Sequence, residues 1–296
     1  MTVCAIVLTH DRRELLHACL AALGRQTHPP DRVLVIDNAS TDGSRDMLAA
    51  EFAGVEVLRR PENDGSAAGF RAGIEHVHGN GFDWLWMLHD DVVPTDSSLE
   101  ELLSATARID DAAPAVIASK PVRPDGELDE VGLPRPNYKR IEHAVIAYEH
   151  GLQPVRWTSL ASVLIRGEAI ARHGLPVAAF AGASGELEFT ARMLRRDDGY
   201  LAPRSVVEHR RTPPSQEPET AFARDVGDRV LMLRSRSWGR REKVDLTVSL
   251  LRAIATTVRS ARGLGLVMRA AAGSALRPLR ADQRTSGPWP AARARP

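Results

Sequence analysis

Residues 84–94 read WLWMLHDDVVP and join an apolar run directly to two adjacent carboxylates. A short apolar run of this length predicts a buried strand, and open α/β sheets bind their ligands at the carboxyl ends of such strands. Acids buried there are costly unless they are hydrogen-bonded, paired or bound to a cation. Because Mg²⁺ commonly joins one or two carboxylates to the phosphates of a substrate, Asp90 and Asp91 suggest a metal-diphosphate site. The alternative is a loop that caps the next helix, since polar residues 95–97 precede an apolar helical pattern beginning at Leu99.

The region before this stretch alternates between extended and helical patterns. Apolar runs at residues 3–8, 32–36 and 55–58 are each followed by a turn, a loop or a segment with helical spacing. This alternation predicts right-handed crossovers and an α/β fold with a Rossmann-like, mainly parallel central sheet and helices on both faces. Further along, residues 157–165 predict one strand, and residues 186–196 predict a helix.

The bulk composition is that of an ordinary globular protein. The chain has 296 residues, of which 43% are hydrophobic and 26% charged, which argues against disorder of the whole chain. Cys4 and Cys19 have apolar neighbours and no CxxC spacing, which favours buried, reduced thiols and a cytoplasmic location. The first eleven residues lack the basic region and the cleavage site of a signal peptide, and no run approaches the roughly 18 apolar residues of a spanning helix.

The charge of the chain is divided unevenly. Residues 229–296 hold 15 Arg or Lys against 3 Asp or Glu, which leaves 24 against 35 in the first 228 residues, so the formal charges are +12 and −11. A basic tail is typical of proteins that bind nucleic acid, an anionic membrane surface or an anionic lipid-linked substrate. Within it, Leu250, Leu251, Ile254 and Val258 form a helical stripe, which predicts either a helix on a membrane or a helix packed on the body.

Three separated segments resemble the inverting family 2 glycosyltransferases, which have a GT-A fold. They read AIVLTHDR at residues 5–12, VLVIDNASTDG at residues 33–43 and NDGSAAGFRAG at residues 63–73. The resemblance implies a nucleotide-sugar donor, with Thr9 and Asp11 lining the nucleotide and Asp37 accepting a hydrogen bond from the pyrimidine ring. Judged on its residues alone, the second segment could instead form an Asx-type turn.

The small residues of the third segment would let its backbone approach the ribose and the diphosphate, and the N-terminus of the helix that follows favours anions. The spacing of its glycines differs from both GxGxxG and the Walker pattern, so neither a dinucleotide nor an ATPase site is indicated. The resemblance predicts ten positions that bind the nucleotide sugar: Thr9, Asp11, Arg12, Asp37, Asn38, Asn63, Gly65, Gly69, Arg71 and Asp90.

The acidic pair occupies the place of the family's metal motif, which usually has aspartate at its first and third positions. Here the first position is His89, which leaves Asp91 as the main metal ligand. A histidine at the end of a strand can ligate a metal when neutral, or can simply form hydrogen bonds, so His89 is a contested ligand. His209 matches the late histidine that completes the metal site in many relatives. The predicted metal is Mg²⁺ or Mn²⁺.

Residues 185–192, GELEFTAR, resemble the family's acidic pair and the arginine that follows it. The usual first acid is replaced by Gly185, so the resemblance assigns the catalytic base to Glu186, with Glu188 as the second candidate. A glutamate is ionised at neutral pH unless it is strongly buried, and it can take a proton from an attacking hydroxyl. The alternative is that both acids only favour a helix N-terminus.

The resemblance divides the chain into four segments. Residues 1–110 would be the nucleotide-sugar-binding half and residues 111–227 the acceptor and catalytic half of one GT-A domain. Residues 228–280 would form a basic helical extension, and residues 281–296 a flexible tail.

Together these residues imply a metal-dependent inverting glycosyltransferase. It would move a sugar from a UDP- or dTDP-sugar to a glycan, lipid-linked or small-molecule hydroxyl acceptor. The similarity to bacterial galactofuranosyl and rhamnosyl transferases of envelope assembly suggests galactofuranose or rhamnose. The enzyme would be cytoplasmic, with a possible contact between its basic tail and the inner face of the cell membrane, and no nucleic acid is expected as a partner.

Two alternatives remain at this point. Sugar nucleotidylyltransferases share a related fold but begin with a loop rich in glycine and arginine, which residues 9–12 lack. A catalytically degenerate nucleotide-sugar-binding module, or a basic module that binds membrane surfaces, is kept open by the substitutions at His89 and Gly185.

Overall fold

A computed structural model describes residues 1–108, 114–138, 141–211, 218–258 and 260–279. Within these ranges ten strands belong to one sheet: β1 (Val3–Thr9), β2 (Arg32–Asp37), β3 (Glu56–Arg59), β4 (Trp84–His89), β5 (Val92–Pro94), β6 (Val116–Val122), β7 (Arg135–Pro136), β8 (Gln153–Trp157), β9 (Val163–Arg166) and β10 (Gly199–His209).

Ten α-helices accompany them in the same ranges: α1 (Arg13–Leu23), α2 (Ser44–Glu51), α3 (Ser66–Val77), α4 (Ser98–Thr106), α5 (Ile141–Glu149), α6 (Gly167–His173), α7 (Ser184–Met193), α8 (Pro218–Arg234), α9 (Arg240–Thr257) and α10 (Ala261–Leu276).

The sheet has two parts with different strand directions. Its order is β3-β2-β1-β4-β9-β6-β10-β8-β7, with β5 paired to the end of β10. The first four strands are parallel, as the alternation of strands and helices predicts. Beyond them β9 lies antiparallel between β4 and β6, and β8 runs antiparallel to β10. Strands β6 and β10 are again parallel. The expected α/β fold is therefore confirmed, and its sheet is mixed, with antiparallel pairings made by β5, β7, β8 and β9.

Helices cover both faces of the sheet because the strands are apolar on both sides. Alternate residues of β1 contribute to two cores, and every residue of that strand is buried. One core contains Trp84 and Trp86 of β4 together with side chains of α1 and α4. The other contains side chains of α3, α6 and α7. This packing fixes α7 against the sheet beside the carboxyl ends of β1 and β4.

The last three helices pack on one another. Leu250 of α9 is buried, and Ile254 and Val258 pack against the same cluster, which also includes residues of α8 and α10. This part of the predicted stripe therefore faces protein, whereas Leu251 is 61% exposed. The boundary expected at residue 228 falls inside α8, so a division of the chain here would have to precede that helix. Among the helices of the described ranges, none has both the length and the apolar character needed to cross a membrane.

Candidate active site

Three neighbouring parallel strands end side by side at one edge of the sheet. Thr9 at the end of β1 pairs in register with Asp37 at the end of β2, and Leu8 pairs with His89 at the end of β4. Because carboxyl ends of parallel strands meet at one edge, the chain brings these polar side chains together there. The predicted acids Asp90 and Asp91 follow β4 directly.

Arg12 holds the two acids in the loop after β4. Its Nη1 donates to Asp90 Oδ1 at 3.1 Å and to Asp91 Oδ2 at 2.9 Å. The Thr9 hydroxyl donates to the other oxygen of Asp90 at 2.8 Å. Burial raises the pKa of Asp90, and the charge of Arg12 opposes that shift. Thr9, Arg12 and Asp90 thus form one hydrogen-bonded unit beside Asp91.

The remaining oxygen of Asp91 faces a histidine. Asp91 Oδ1 is buried without a hydrogen-bond partner in the described part of the chain, and it lies 3.6 Å from His209 Nε2. The other ring nitrogen of His209, Nδ1, lies 2.7 Å from Asp129 Oδ2. A carboxylate behind a histidine fixes the ring in the way that metal-binding histidines usually require. The structure therefore brings together Asp91 and His209, two of the three predicted ligands. It also shows Asp129 behind His209, a residue that the sequence did not reveal.

These residues fit a divalent cation that is completed by other ligands. Across the described ranges, no group of three or more His, Cys, Asp or Glu side chains is arranged to hold a metal on its own. Mg²⁺ usually keeps several waters and binds through one or two protein groups plus substrate phosphates. An unsatisfied carboxylate oxygen opposite an oriented imidazole meets that requirement. Arg12 pairs with the other oxygen of Asp91 and supplies part of the positive charge that a bound cation would supply.

His89 does not join this pair in the structure. Its Nε2 lies 3.0 Å from Glu186 Oε1, so it contacts the predicted base instead of the predicted metal ligands. Burial lowers the pKa of the His89 imidazole, but the charge of Glu186, the hydrogen bond to it and the charges of Asp91 and Asp90 together outweigh burial and raise this pKa to about 9. Burial likewise favours the neutral form of Glu186, and His89 reverses this and lowers the pKa of the carboxyl. The two side chains form a buried imidazolium–carboxylate pair.

Glu186 is fixed from a second side. The backbone N–H of Leu160 donates to Glu186 Oε2 at 2.8 Å. Leu160 lies in the break between β8 and β9, where Ser162 has a φ of 119°. The predicted single strand over residues 157–165 is therefore wrong, because the chain leaves its place beside β10 after β8, enters the sheet again between β4 and β6 as β9, and supplies a donor for the carboxylate in the break. Glu186 is 1% exposed and the His89 side chain is 22% exposed, so His89 is the more accessible member of the pair.

Glu188 faces a different part of the molecule. Its Oε1 accepts hydrogen bonds from the hydroxyls of Ser235 at 3.0 Å and Ser237 at 2.6 Å. Its Oε2 lies 3.3 Å from Arg192 Nη2, one turn along α7. Two residues along a helix turn a side chain well away from its neighbour, which separates Glu188 from the pair of Glu186 and His89.

Gly185 has no space for the acid that the family pattern places at this position. A Cβ atom at this position would lie 2.7 Å from Cβ of both Ala67 and Phe180, closer than such atoms approach. Helix α7 therefore sits against α3 at this glycine, and the first carboxylate of the helix comes one position later, at Glu186.

The loop after β2 is tied together by its own polar groups. Asp37 Oδ1 accepts from the backbone N–H of Ser40 at 2.8 Å, which is the turn contact expected for an Asx-type arrangement. Asp37 Oδ2 lies 3.9 Å from Arg59 Nη1. Asp11, which has a φ of 48°, accepts from the backbone N–H of Thr41 at 2.6 Å. Both predicted nucleotide residues thus also shape their loops.

The glycine-rich stretch is in contact with protein where its side chains would be. Gly65 has a φ of 103°, and a Cβ atom there would lie 2.5 Å from the carbonyl oxygen of Ala181. At Gly69 a Cβ atom would lie 2.5 Å from Leu8 Cδ1 and 3.1 Å from the Asn38 amide nitrogen. These two glycines therefore permit close packing on the loop before α7 and on the strand ends, besides any approach of a ligand.

The other predicted donor-binding positions surround this stretch. Asn38 Nδ2 lies 3.4 Å from both Asn63 Oδ1 and the carbonyl oxygen of Gly65. Arg71 pairs with Glu75 inside α3 at 2.9 Å.

Asp228 of α8 supports the loop before α7 from the other side. Its carboxylate accepts from the backbone N–H groups of Ala181 at 3.0 Å and Gly182 at 2.8 Å. Nothing in the sequence distinguishes Asp228 from the other acids of that helix, because its role depends on a contact across 46 residues or more.

Comparisons of sequence and fold show which known proteins this chain resembles. The model for the family described as glycosyl transferase family 2 matches residues 4–158. Galactofuranosyltransferase GlfT1 of Mycolicibacterium smegmatis is 39% identical over 103 residues, which are 34% of this chain and 34% of that protein. Undecaprenyl-phosphate mannosyltransferase of Micrococcus luteus is 36% identical over 135 residues, which are 43% of this chain and 51% of that protein. The chain thus matches between a third and about half of the length of these relatives.

Solved structures with low sequence identity share the fold. S. aureus TarS superposes with a TM-score of 0.59 at 16% identity, over 96% of this chain and 50% of that chain. Mannosyltransferase PcManGT from Pyrobaculum calidifontis superposes with a TM-score of 0.53 at 15% identity, over 96% of this chain and 83% of that chain. The GT-A architecture follows from these superpositions, and because the family model extends from β1 through the acidic loop to β8, the chain belongs to glycosyl transferase family 2.

Proposed function

We propose that the chain is a metal-dependent inverting glycosyltransferase that uses a UDP- or dTDP-sugar. The observation that carries this proposal is Asp91 Oδ1, which is buried, has no hydrogen-bond partner in the described ranges and faces His209 Nε2 at 3.6 Å. A carboxylate oxygen and an oriented imidazole nitrogen are suitable ligands for Mn²⁺ or Mg²⁺. When bound, the cation would neutralise charge that develops on the departing nucleoside diphosphate.

The donor would bind along the carboxyl ends of β1, β2 and β4. Asp37, at 1% exposure, would accept from the pyrimidine ring, with Thr9, Asp11, Arg12, Asn38 and Asp90 around it. The residues Asn63, Gly65, Gly69 and Arg71 belong to the segment that would follow the ribose and diphosphate. S. aureus TarS, which shares the fold, has been solved in complex with UDP and with UDP-GlcNAc, which supports a uridine nucleotide in the donor proposed for this chain.

Glu186 would act as the base. His89 keeps it ionised, and Leu160 holds its second oxygen, so the carboxylate is ready to accept a proton. An acceptor hydroxyl that reaches Glu186 would lose its proton there while its oxygen attacks the anomeric carbon. Attack opposite the leaving diphosphate inverts the configuration, and no covalent enzyme intermediate forms.

The sugar and the acceptor are proposed from the relatives. Galactofuranose is suggested by the similarity to galactofuranosyltransferase GlfT1, and rhamnose remains the second candidate. The acceptor would be a glycan, a lipid-linked sugar or a small molecule with a free hydroxyl. The residues 1–110 and 111–227 would serve donor and acceptor respectively.

A cytoplasmic location at the inner face of the membrane is supported by the outer face of α9. Val244, Val248 and Leu251 recur at helical spacing and are 61%, 42% and 61% exposed. Arg240, Arg241, Lys243 and Arg252 on the same helix supply positive charge. An apolar stripe with basic neighbours suits the surface of an anionic membrane, where the helix would lie in the interface.

Thermal unfolding with nucleotides tests the donor and metal proposals. UDP or dTDP should raise the melting temperature more with Mn²⁺ than with a chelator, because Asp91 and His209 would hold a cation that neutralises the charge of the diphosphate. The variant Asp91→Asn should lose the Mn²⁺-dependent part, whereas Asp46→Asn, at an exposed position of α2, should keep it. Stabilisation by the nucleotide without release of nucleoside diphosphate in any donor assay would instead indicate the degenerate binding module. Stabilisation by polyanions alone would indicate the basic membrane-surface module.

A further inference from the structure

A second charged cavity lies on the far side of α7 from the pair of His89 and Glu186. It has a volume of about 1300 Å³ and is formed by the end of α6, by α7 and the turn after it, and by the segment that joins α8 to α9. Six arginines line it: Arg172, Arg192, Arg195, Arg196, Arg234 and Arg236.

Few carboxylates neutralise these cations. Glu188 is the only acid among the described residues that line the cavity, and its Oε1 is already taken by two serine hydroxyls. Asp197, close by, pairs with Arg172 at 2.6 Å and with His173 at 2.9 Å. Arg192 pairs with Glu188. Within the described ranges no carboxylate pairs with the remaining four arginines of the cavity, so the cavity keeps a positive excess.

Backbone carbonyls orient three of the arginines. Arg192 donates from Nη1 to the carbonyl of His173 at 2.7 Å and from Nη2 to that of Leu175 at 2.8 Å. Arg234 donates to the carbonyls of Ser274 and Arg277, each at 2.7 Å, and Arg195 donates to the carbonyl of Arg236. A carbonyl positions a guanidinium without cancelling its charge, so these contacts preserve the positive potential of the cavity.

Two buried polar atoms at the cavity remain unsatisfied. Arg192 Nε and Glu188 Oε2 have no hydrogen-bond partner within the described part of the chain. Each terminal nitrogen of Arg192 donates to one backbone carbonyl, and its Nε–H is among the donors that remain for a ligand. Buried donors without a partner are rare and costly, which indicates that something outside the described residues completes the site.

We propose that this cavity binds a ligand carrying two or more phosphate groups. Planar guanidinium groups match the oxygens of a phosphate in pairs, and like charges collected in a concave surface are relieved by an anion. The volume exceeds what a single phosphate occupies, and six arginines distribute charge over a ligand of diphosphate size or larger. Residues 280–296 are a poor internal counter-ion, because they add four arginines and one aspartate.

The same chemistry occurs in a soluble diphosphate compound and in the headgroup of a phosphorylated lipid. In either case the site is separate from the proposed donor site, since Glu186 and Glu188 of the same helix face the two regions. The inference therefore does not depend on sugar transfer.

Calorimetric titration of the full chain with inorganic diphosphate tests the site. A chelator in the buffer prevents the probe from binding with a metal at Asp91. The double variant Arg196→Gln/Arg236→Gln, at two exposed positions, should weaken binding by about tenfold or more, as expected for the loss of two charge-assisted contacts. The control Arg25→Gln/Arg204→Gln removes the same charge at exposed positions elsewhere and should stay within about twofold of the wild-type chain.

A conservative variant and a vesicle assay complete the test. Arg196→Lys/Arg236→Lys keeps the charge but loses the planar fork, so it should fall between the wild-type chain and the glutamine variant. Vesicles with about one-fifth phosphatidylinositol 4,5-bisphosphate, whose headgroup carries more than one phosphate, identify the source. Binding that the glutamine variant loses and that diphosphate displaces assigns a lipid headgroup, and unchanged vesicle binding with weakened diphosphate binding assigns a soluble ligand. Diphosphate binding that is absent, or equal in the pocket variant and the wild-type chain, overturns the proposal.

Discussion

The two sides of α7 differ in the sign of their unbalanced charge. On one side Asp90, Asp91 and Glu186 are buried acids that pair, among the described residues, with Arg12 and His89, and His209 lies 3.6 Å from Asp91. On the other side the arginine-lined cavity has one lining acid among its described residues. A region with too few cations is suited to a metal ion, and a region with too few anions is suited to phosphate. One helix thus separates two sites that need ligands of opposite sign.

The largest expected effect is at the acidic side of this comparison. Glu186→Gln removes the proposed base while keeping the shape of the side chain, so turnover should fall on the order of 100- to 10,000-fold. UDP binding should change little, because the donor would bind on the other side of His89. Glu168→Gln, an exposed position on α6, is the matched control in the assay of nucleoside diphosphate release.

Two further variants show which group acts if that result fails. Full turnover in Glu186→Gln together with loss in His89→Gln would make the accessible histidine the base. Loss in Glu188→Gln alone would move the base to the second candidate and would join the two sides of α7 in one site.

A smaller loss, in metal affinity, is expected when Asp129 is changed, because Asp129 orients His209, the proposed metal ligand. Asp129→Asn leaves His209 in place but weakens the contact that orients its ring, which lies 2.7 Å away. Carboxylates in this position typically contribute about 10- to 100-fold to metal affinity. A Mn²⁺ titration followed by the melting temperature with UDP should show a shift of that size, while Asp125→Asn, an exposed acid of the same segment, should show none. Unchanged Mn²⁺ affinity in Asp129→Asn would contradict the proposed metal site.

The pair of His89 and Glu186 predicts a pH-dependent contribution to stability. The folded protein raises the pKa of His89 from its ordinary value of 6.5 to about 9, so this contribution is fully present below about pH 6.5 and is lost as the pH rises through 9. The wild-type chain should therefore exceed His89→Gln in stability most near pH 6.5, and the difference should shrink as the pH rises towards 9 and above. Denaturant midpoints in the presence of a chelator measure it; a difference that does not vary with pH would count against an ionised histidine.

The smallest effect is expected on the outer face of α9. Val248→Ser/Leu251→Ser removes apolar surface that is already exposed, so the folded state should keep its stability within about 0.5 kcal/mol. Co-sedimentation with anionic vesicles should weaken several-fold if this stripe lies on the membrane. Leu276→Ser, at an 86% exposed position of α10, controls for loss of apolar surface in general. Equal vesicle binding in all three chains would exclude the α9 face as a membrane contact.

The sequence predicted the meeting of polar residues at the carboxyl ends of β1, β2 and β4 better than the rest of the candidate site. Strand-ending polar residues such as Thr9, Asp37 and Asp91 meet because parallel register places strand ends together, a rule that needs no side-chain detail. The irregular segment that carries Asp129 follows no such rule, and its contact with His209 depends on a path of 80 residues. The sequence did not predict the break that brings Leu160 to Glu186, since the apolar content of residues 157–165 indicated a single strand.

The close contact of α7 with α3 at Gly185 is coupled to the absence of the acid that the family pattern has at this position. Placing an acid at that position would push α7 away from Ala67, which belongs to the glycine-rich stretch at the start of α3. Restoring the consensus residue alone would therefore disturb the nucleotide region before it could contribute to chemistry. The absence of an acid at residue 185 and the close fit of the two helices therefore belong together, and a redesign of one requires a redesign of the other.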